Sequence, residues 1–140
     1  MDPILHGSVA VRDLDEAVAF YADVLGCDVG RTTDDFVDVW FFGMQLTLHA
    51  APEQVLSDEQ RGVRHFGVTL PADELQQLLA NARARGVVFL SETATDHAGT
   101  PREQTKAKIL DPSGNAIELK TYVDVEAALG LSPRRGSRGR

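Results

Sequence analysis

Hydrophobic and polar positions alternate along residues 4–11, ILHGSVAV, with Leu5, Val9 and Val11 on one face and His6, Ser8 and Ala10 on the other. That is the period of a half-buried strand. The period then changes. In DLDEAVAFYADVLG, residues Leu14, Ala17, Val18, Tyr21, Val24 and Leu25 fall on one helical stripe. Asp13 and Glu16 are spaced as a capping box, and Gly26 suits the left-handed residue after a helix. Strand patterns return at 27–31, 35–42 and 44–49. A polar stretch, APEQVLSDEQRGV, makes a linker, and the order restarts. HFGVTL predicts a strand, and ADELQQLLANARARG a helix carrying Leu75, Leu78, Leu79 and Ala82 at helical spacing. VVFL, TKAKIL and NAIELKT predict three more strands, the first two separated by a long loop, SETATDHAGTPREQ.

The predicted fold class is therefore α+β: two βαβββ modules, with helices on the outer face of a mixed sheet. His6 matches His65, Val9 matches Val68, Gly26 matches Gly86 and Gly43 matches Gly114, which sets Thr47 opposite Glu118. Repeated units pack about a pseudo-twofold axis, so matching positions are expected to approach each other. The organisation predicted is a single domain over 1–122, with module one at 4–50, a linker at 51–63 and module two at 64–122. A short helical extension at 123–131 and a disordered basic tail at 132–140 follow.

Strand parity assigns the faces. The helix of each module must cover the apolar face, leaving His6, Ser8, Thr47, His49, His65, Thr69 and Glu118 on the other. A small, polar inner face is the lining expected of a ligand pocket. His6, His65 and Glu118 on that face suggest a metal site, because two imidazoles and a carboxylate are the facial set of non-haem Fe(II) oxygenases and leave positions open. Fe(II) is the favoured ion, with Mn, Ni or Zn as alternatives.

Other residues on this face or in the long loop are candidate contacts. Trp40 offers a platform for a planar substrate. His49 is a candidate acid–base group, as imidazole titrates near neutrality, and Glu103 in the loop is a second. Thr47, Arg102, Gln104 and Lys106 are candidate substrate contacts, with Arg102 suited to a carboxylate.

VRDLDEAVAFYADVLG and DPSGNAIELK resemble the opening and closing motifs of the vicinal oxygen chelate superfamily, which includes glyoxalase I, extradiol dioxygenases, and fosfomycin- and bleomycin-resistance proteins. The likeness covers residues 4–122. It implies paired modules forming a cupped sheet around a divalent metal, ligands on the first and last strands of each module, and a homodimer. His6, His65 and Glu118 match three ligand positions. The fourth, acidic in the glyoxalase I pattern, falls on Thr47. The activity implied is a metal-dependent enzyme acting on a small molecule with adjacent oxygens. A dioxygenase is preferred, and the alternatives are a glyoxalase-like lyase or isomerase and a metal-free antibiotic-binding protein.

Composition narrows the partners. The net charge is −7, and with Arg134, Arg135, Arg138 and Arg140 in the tail set aside the rest is more acidic still. Such a body repels phosphate backbones, so no nucleic-acid partner is expected. No apolar run reaches the length of a membrane span, and the first residues lack a signal-peptide pattern. Cys27 is the sole cysteine, which excludes an intrachain disulfide. A small-molecule substrate and a cytoplasmic location are the expectations.

Overall fold

In the computed structural model, which describes residues 1–130, the first four strands form one sheet and the last four another. The predicted tail at 132–140 and residue 131 lie outside the described residues. Module one comprises β1 (Leu5–Val11), α1 (Leu14–Ala19), β2 (Asp28–Thr32), β3 (Phe36–Phe41) and β4 (Met44–Ala50). Module two comprises β5 (Phe66–Thr69), α3 (Ala72–Ala84), β6 (Phe89–Asp96), β7 (Gln104–Leu110) and β8 (Ala116–Tyr122). The sheet orders are β1-β4-β3-β2 and β5-β8-β7-β6, so each first strand lies parallel beside the last of its module. The expected α+β pair of βαβββ units is what the chain forms. The stretch between them carries a 3-10 turn at Pro52–Gln54 and a short helix α2 (Asp58–Arg61), capped reciprocally by Ser57 and Gln60. A last helix, α4 (Val125–Leu129), begins at the capping side chain of Asp124.

Two elements differ from the pattern. The first helix widens into a π-helical turn over Phe20–Val24. The extra residue per turn lets Phe20 and Tyr21 both face inward, together with Val24 and Leu25. The strand expected at 87–90 instead runs from Phe89 to Asp96, so six residues assigned to the long loop belong to it, and Ser91, Ala94, Thr95 and Asp96 among them pair with β7. Ser91 to Thr95 are exposed on both faces of this edge strand. Without a covered face there is no apolar alternation to signal it.

One core serves both modules. It joins Val11, Tyr21, Phe41, Leu46 and Leu48 to Leu75, Leu79, Ile109, Ile117 and Leu119, and Phe41 meets Phe66 edge-on at 5.2 Å. Polar ties reinforce it. The Tyr21 hydroxyl donates to the buried Asp111 carboxylate at 2.8 Å, which also accepts from the Ser113 and Asn115 backbone N–H groups and the Asn115 side chain, each at 2.9 Å. The Asn115 amide donates in turn to the Ala10 carbonyl, and the Arg12 N–H to Ser113 Oγ. The D-P-S-G-N motif is thus a clasp between the modules. Burial pushes the Asp111 carboxyl up despite its four donors. Cys27 is buried within the same core, and burial raises its thiol to about 12, consistent with an inert packing residue.

Candidate functional site

In module two the polar face builds a recess of about 190 Å³ lined by His65, Gly67, Thr69, Glu118 and Lys120, among others. His65 precedes β5, and its Nδ1 lies 2.7 Å from the Val63 carbonyl. A carbonyl only accepts, so Nδ1 carries the proton and donates, leaving the Nε2 lone pair free. That Nε2 stands 4.0 Å from Glu118 Oε2, wider than the ~3.4 Å between two tetrahedral ligands each about 2.1 Å from an ion, so the pair would close up by about half an ångström to share one. Gly67 pairs with Glu118 in parallel register. A Cβ on Gly67 would overlap the Glu118 carbonyl, so only glycine allows β5 this close to β8.

Glu118 is ringed by cations. Lys120 Nζ lies 3.4 Å from its Oε1 and Lys108 Nζ 3.9 Å from its Oε2. Lys106 pairs with Asp96 at 2.9 Å and stands directly opposite Lys120 across β7 and β8. The Asp96 carboxylate raises the Lys106 ammonium above its ordinary value. A hydrogen bond with Tyr122 does the same for Lys120, whose Nζ is 5.4 Å from the Tyr122 ring centre.

In module one, His6 shares a row with Gln45 and Trp40 across β1, β4 and β3. The expected convergence of His6 with His65 and Glu118 is not found within one chain: among the described residues no three His, Cys, Asp or Glu side chains gather to hold a metal. The modules pack through their helices and apolar faces, and the polar faces, with His6 and His65 exposed, lie away from that shared core. Thr47 donates to Asp38 at 2.7 Å, and Asp38 also accepts from Arg31 Nε at 2.6 Å. The Arg31 bond holds the Asp38 carboxyl below its ordinary value.

The remaining candidates are dispersed. Trp40 is half exposed beside Gln45. His49 rests against Phe36 at 6.0 Å in a separate recess with Asp35 and Glu53. Glu103 accepts from the Gly99 N–H at 2.8 Å and closes the turn that also holds Arg102, while the Gln104 amide reaches Asp96 at 3.5 Å. Arg102, Glu103 and Gln104 do not line the recess of His65 and Glu118. A second cavity of about 310 Å³ opens beside His65, between Ser8 of β1 and the turn at Gly114 and Asn115. The buried Arg61 side chain braces it by donating to Asp58 and the Gly114 carbonyl.

Lys108, Lys120 and Asp38 were not among the sequence candidates. The signal was present: Lys106, Lys108 and Lys120 are the only three lysines of the chain, and strand parity puts all three on the face of Glu118.

No helix among the described residues is long and apolar enough to cross a membrane. The chain is 28% identical over 137 residues to catechol-2,3-dioxygenase of Bacillus subtilis (strain 168); the match covers 94% of this chain and 45% of the relative, so the chain spans less than half of that protein's length. It is also similar to a solved glyoxalase/bleomycin resistance protein/dioxygenase from Alicyclobacillus acidocaldarius, with 32% identity, a TM-score of 0.79, and coverage of 89% of this chain and 94% of the other. A genomically encoded fosfomycin resistance protein of Listeria monocytogenes shares the fold at 13% identity and a TM-score of 0.71, over 86% of this chain and 93% of that one. The family model of the Glyoxalase/Bleomycin resistance protein/Dioxygenase superfamily matches residues 3–119, and the chain belongs to that superfamily.

Proposed function

We propose that the protein is a metal-dependent enzyme acting on a small molecule with two neighbouring oxygens, and that its metal site is completed in a homodimer. The observation that carries this reading is the His65–Glu118 pair: Nδ1 is committed to the Val63 carbonyl, and the free Nε2 faces a carboxylate 4.0 Å away. His6 is the third ligand, supplied by a second copy of the chain. Leu5 and Val63, beside His6 and His65, are largely exposed, as is about half of Trp40. Apolar surface around both half-sites suits a covering partner.

The donor set fits a divalent ion of the Fe(II) type, with Mn, Ni or Zn as alternatives. Such an ion, when bound, polarises and orients two substrate oxygens. The chain's own groups do the rest. Val63 fixes the His65 tautomer, Gly67 keeps β5 against Glu118, and Trp40 offers a flat apolar surface to a ring. Dioxygenase chemistry is favoured over a glyoxalase-like isomerisation because Thr47, tied to Asp38, supplies no fourth carboxylate; the likeness to a catechol dioxygenase points the same way. His49 and Glu103 carry no step here. A metal-free binding protein is the second reading, favoured by Lys108 and Lys120, which already balance the Glu118 charge.

Metal analysis of mixed variants is the test. His6→Ala and Glu118→Ala are each expected to lose the metal found in the purified wild type. Unfolding and re-pairing the two variants together is expected to restore about a quarter of the sites, because half of randomly formed dimers are mixed and each of those has one complete site. Loss without restoration would place the site inside one chain. Metal retained by both variants would end the proposal.

A further inference from the structure

The three lysines deserve a ligand of their own. Like charges directly opposite each other on adjacent strands destabilise a sheet, yet Lys106 faces Lys120 in register and Lys108 flanks Glu118 one row away. The chain is acidic overall, and it places every lysine it has in this one patch. Two carboxylates, Glu118 and Asp96, lie among them, so the patch retains an excess of positive charge. The three lysine side chains are between 30% and 40% exposed, open to a ligand yet partly withdrawn from water.

We infer that Lys106, Lys108 and Lys120 form a subsite for a compact dianionic group, and that the substrate carries such a group beside its neighbouring oxygens. The inference rests on the reading of the His65–Glu118 recess as the substrate site. The chemistry shared by the fitting ligands is a cluster of oxyanion oxygens, either a phosphate or phosphonate or a pair of adjacent carboxylates. Three ammonium groups each donate up to three hydrogen bonds to such oxygens. No proton or electron transfer is assigned to the lysines; they are binding and positioning residues.

Calorimetric titration of the metal-free, chelator-treated protein at constant ionic strength tests this with inorganic phosphate, malonate and acetate as probes. Saturable binding of phosphate or malonate is expected, with acetate weaker. The tighter of the first two tells a tetrahedral anion from paired carboxylates. Lys106→Met and Lys120→Met are each expected to weaken the tighter probe at least about tenfold, since each removes a full charge from a partly desolvated patch. Lys106→Arg should recover most of the loss, which a merely structural lysine would not require, and Arg85→Met on the far end of α3 should change nothing. His6→Ala, which tests the metal site, should leave anion binding to the metal-free protein unchanged, so the two proposals fail separately. Absence of saturable binding by the wild type, or equal binding by the Lys→Met variants, would overturn the inference.

Discussion

The two modules share a backbone register and differ in the chemistry it displays. Across β3 and β4 the outward pairs are Asp38 with Thr47 and Phe36 with His49; across β7 and β8 the matching pairs are Lys108 with Glu118 and Lys106 with Lys120. On the opposite face the modules agree, with Val37, Val39, Leu46 and Leu48 answered by Ala107, Ile109, Ile117 and Leu119, all buried. The covered face is fixed by close packing, where a change of one methylene is felt. The open face has no such constraint. Module one has two separated histidines, His6 and His49, and an acid engaged by Arg31, whereas module two has the histidine–carboxylate pair and the cations.

The first way to break this comparison is to remove what joins the modules. Asp111 is buried and accepts four hydrogen bonds, one of them from Tyr21 of the other module. Asp111→Ala leaves those donors unpaired and is expected to cost about 3–5 kcal/mol, read by urea unfolding. A loss below about 1 kcal/mol would mean that the apolar core alone holds the modules together.

The second uses a position where the modules should respond oppositely. Ser8 pairs with Thr47 as Gly67 pairs with Glu118. A side chain is present at Ser8 but would overlap the backbone at Gly67. Gly67→Ser is expected to destabilise by about 2–3 kcal/mol through overpacking, while Ser8→Gly should cost about 1 kcal/mol or less. The same unfolding experiment reads both. Equal effects would show that β5 can move away from β8 at no cost, and that Glu118 is not positioned by that close approach.

Much of this frame was legible in the chain because burial writes itself into sequence as a period. Leu46 and Leu48, or Ile117 and Leu119, must alternate with their exposed neighbours, so the faces of His6, Thr47, His65 and Glu118 could be assigned from parity. Where nothing is buried, nothing is written: Ser91 to Thr95 run along an edge with both faces in water and read as loop. The π-helical turn escaped because Phe20 lies off a 3.6-residue stripe. Parity also says which face a histidine occupies, but not whether two sheets turn those faces toward each other. That depends on how α1 and α3 pack, and among the described residues of one chain His6 does not gather with His65 and Glu118.

The smallest effect concerns the acid of module one. Arg31 holds the Asp38 carboxyl below its ordinary value of 3.8, so the folded state binds fewer protons than the unfolded state in that range. Stability from this group is therefore complete above the unfolded value and is lost as pH falls through the folded one. The Arg31 side chain is two-thirds exposed, so water screens the pair and the contribution is expected to be only about 0.5–1 kcal/mol. Asp38→Asn should remove that part of the acid limb while keeping the Thr47 hydroxyl hydrogen-bonded, and unfolding midpoints between neutral and strongly acidic pH measure it. If the variant follows the wild type throughout the acid range, Asp38 is a bystander. The open face of module one then holds no electrostatic counterpart to the cluster around Glu118.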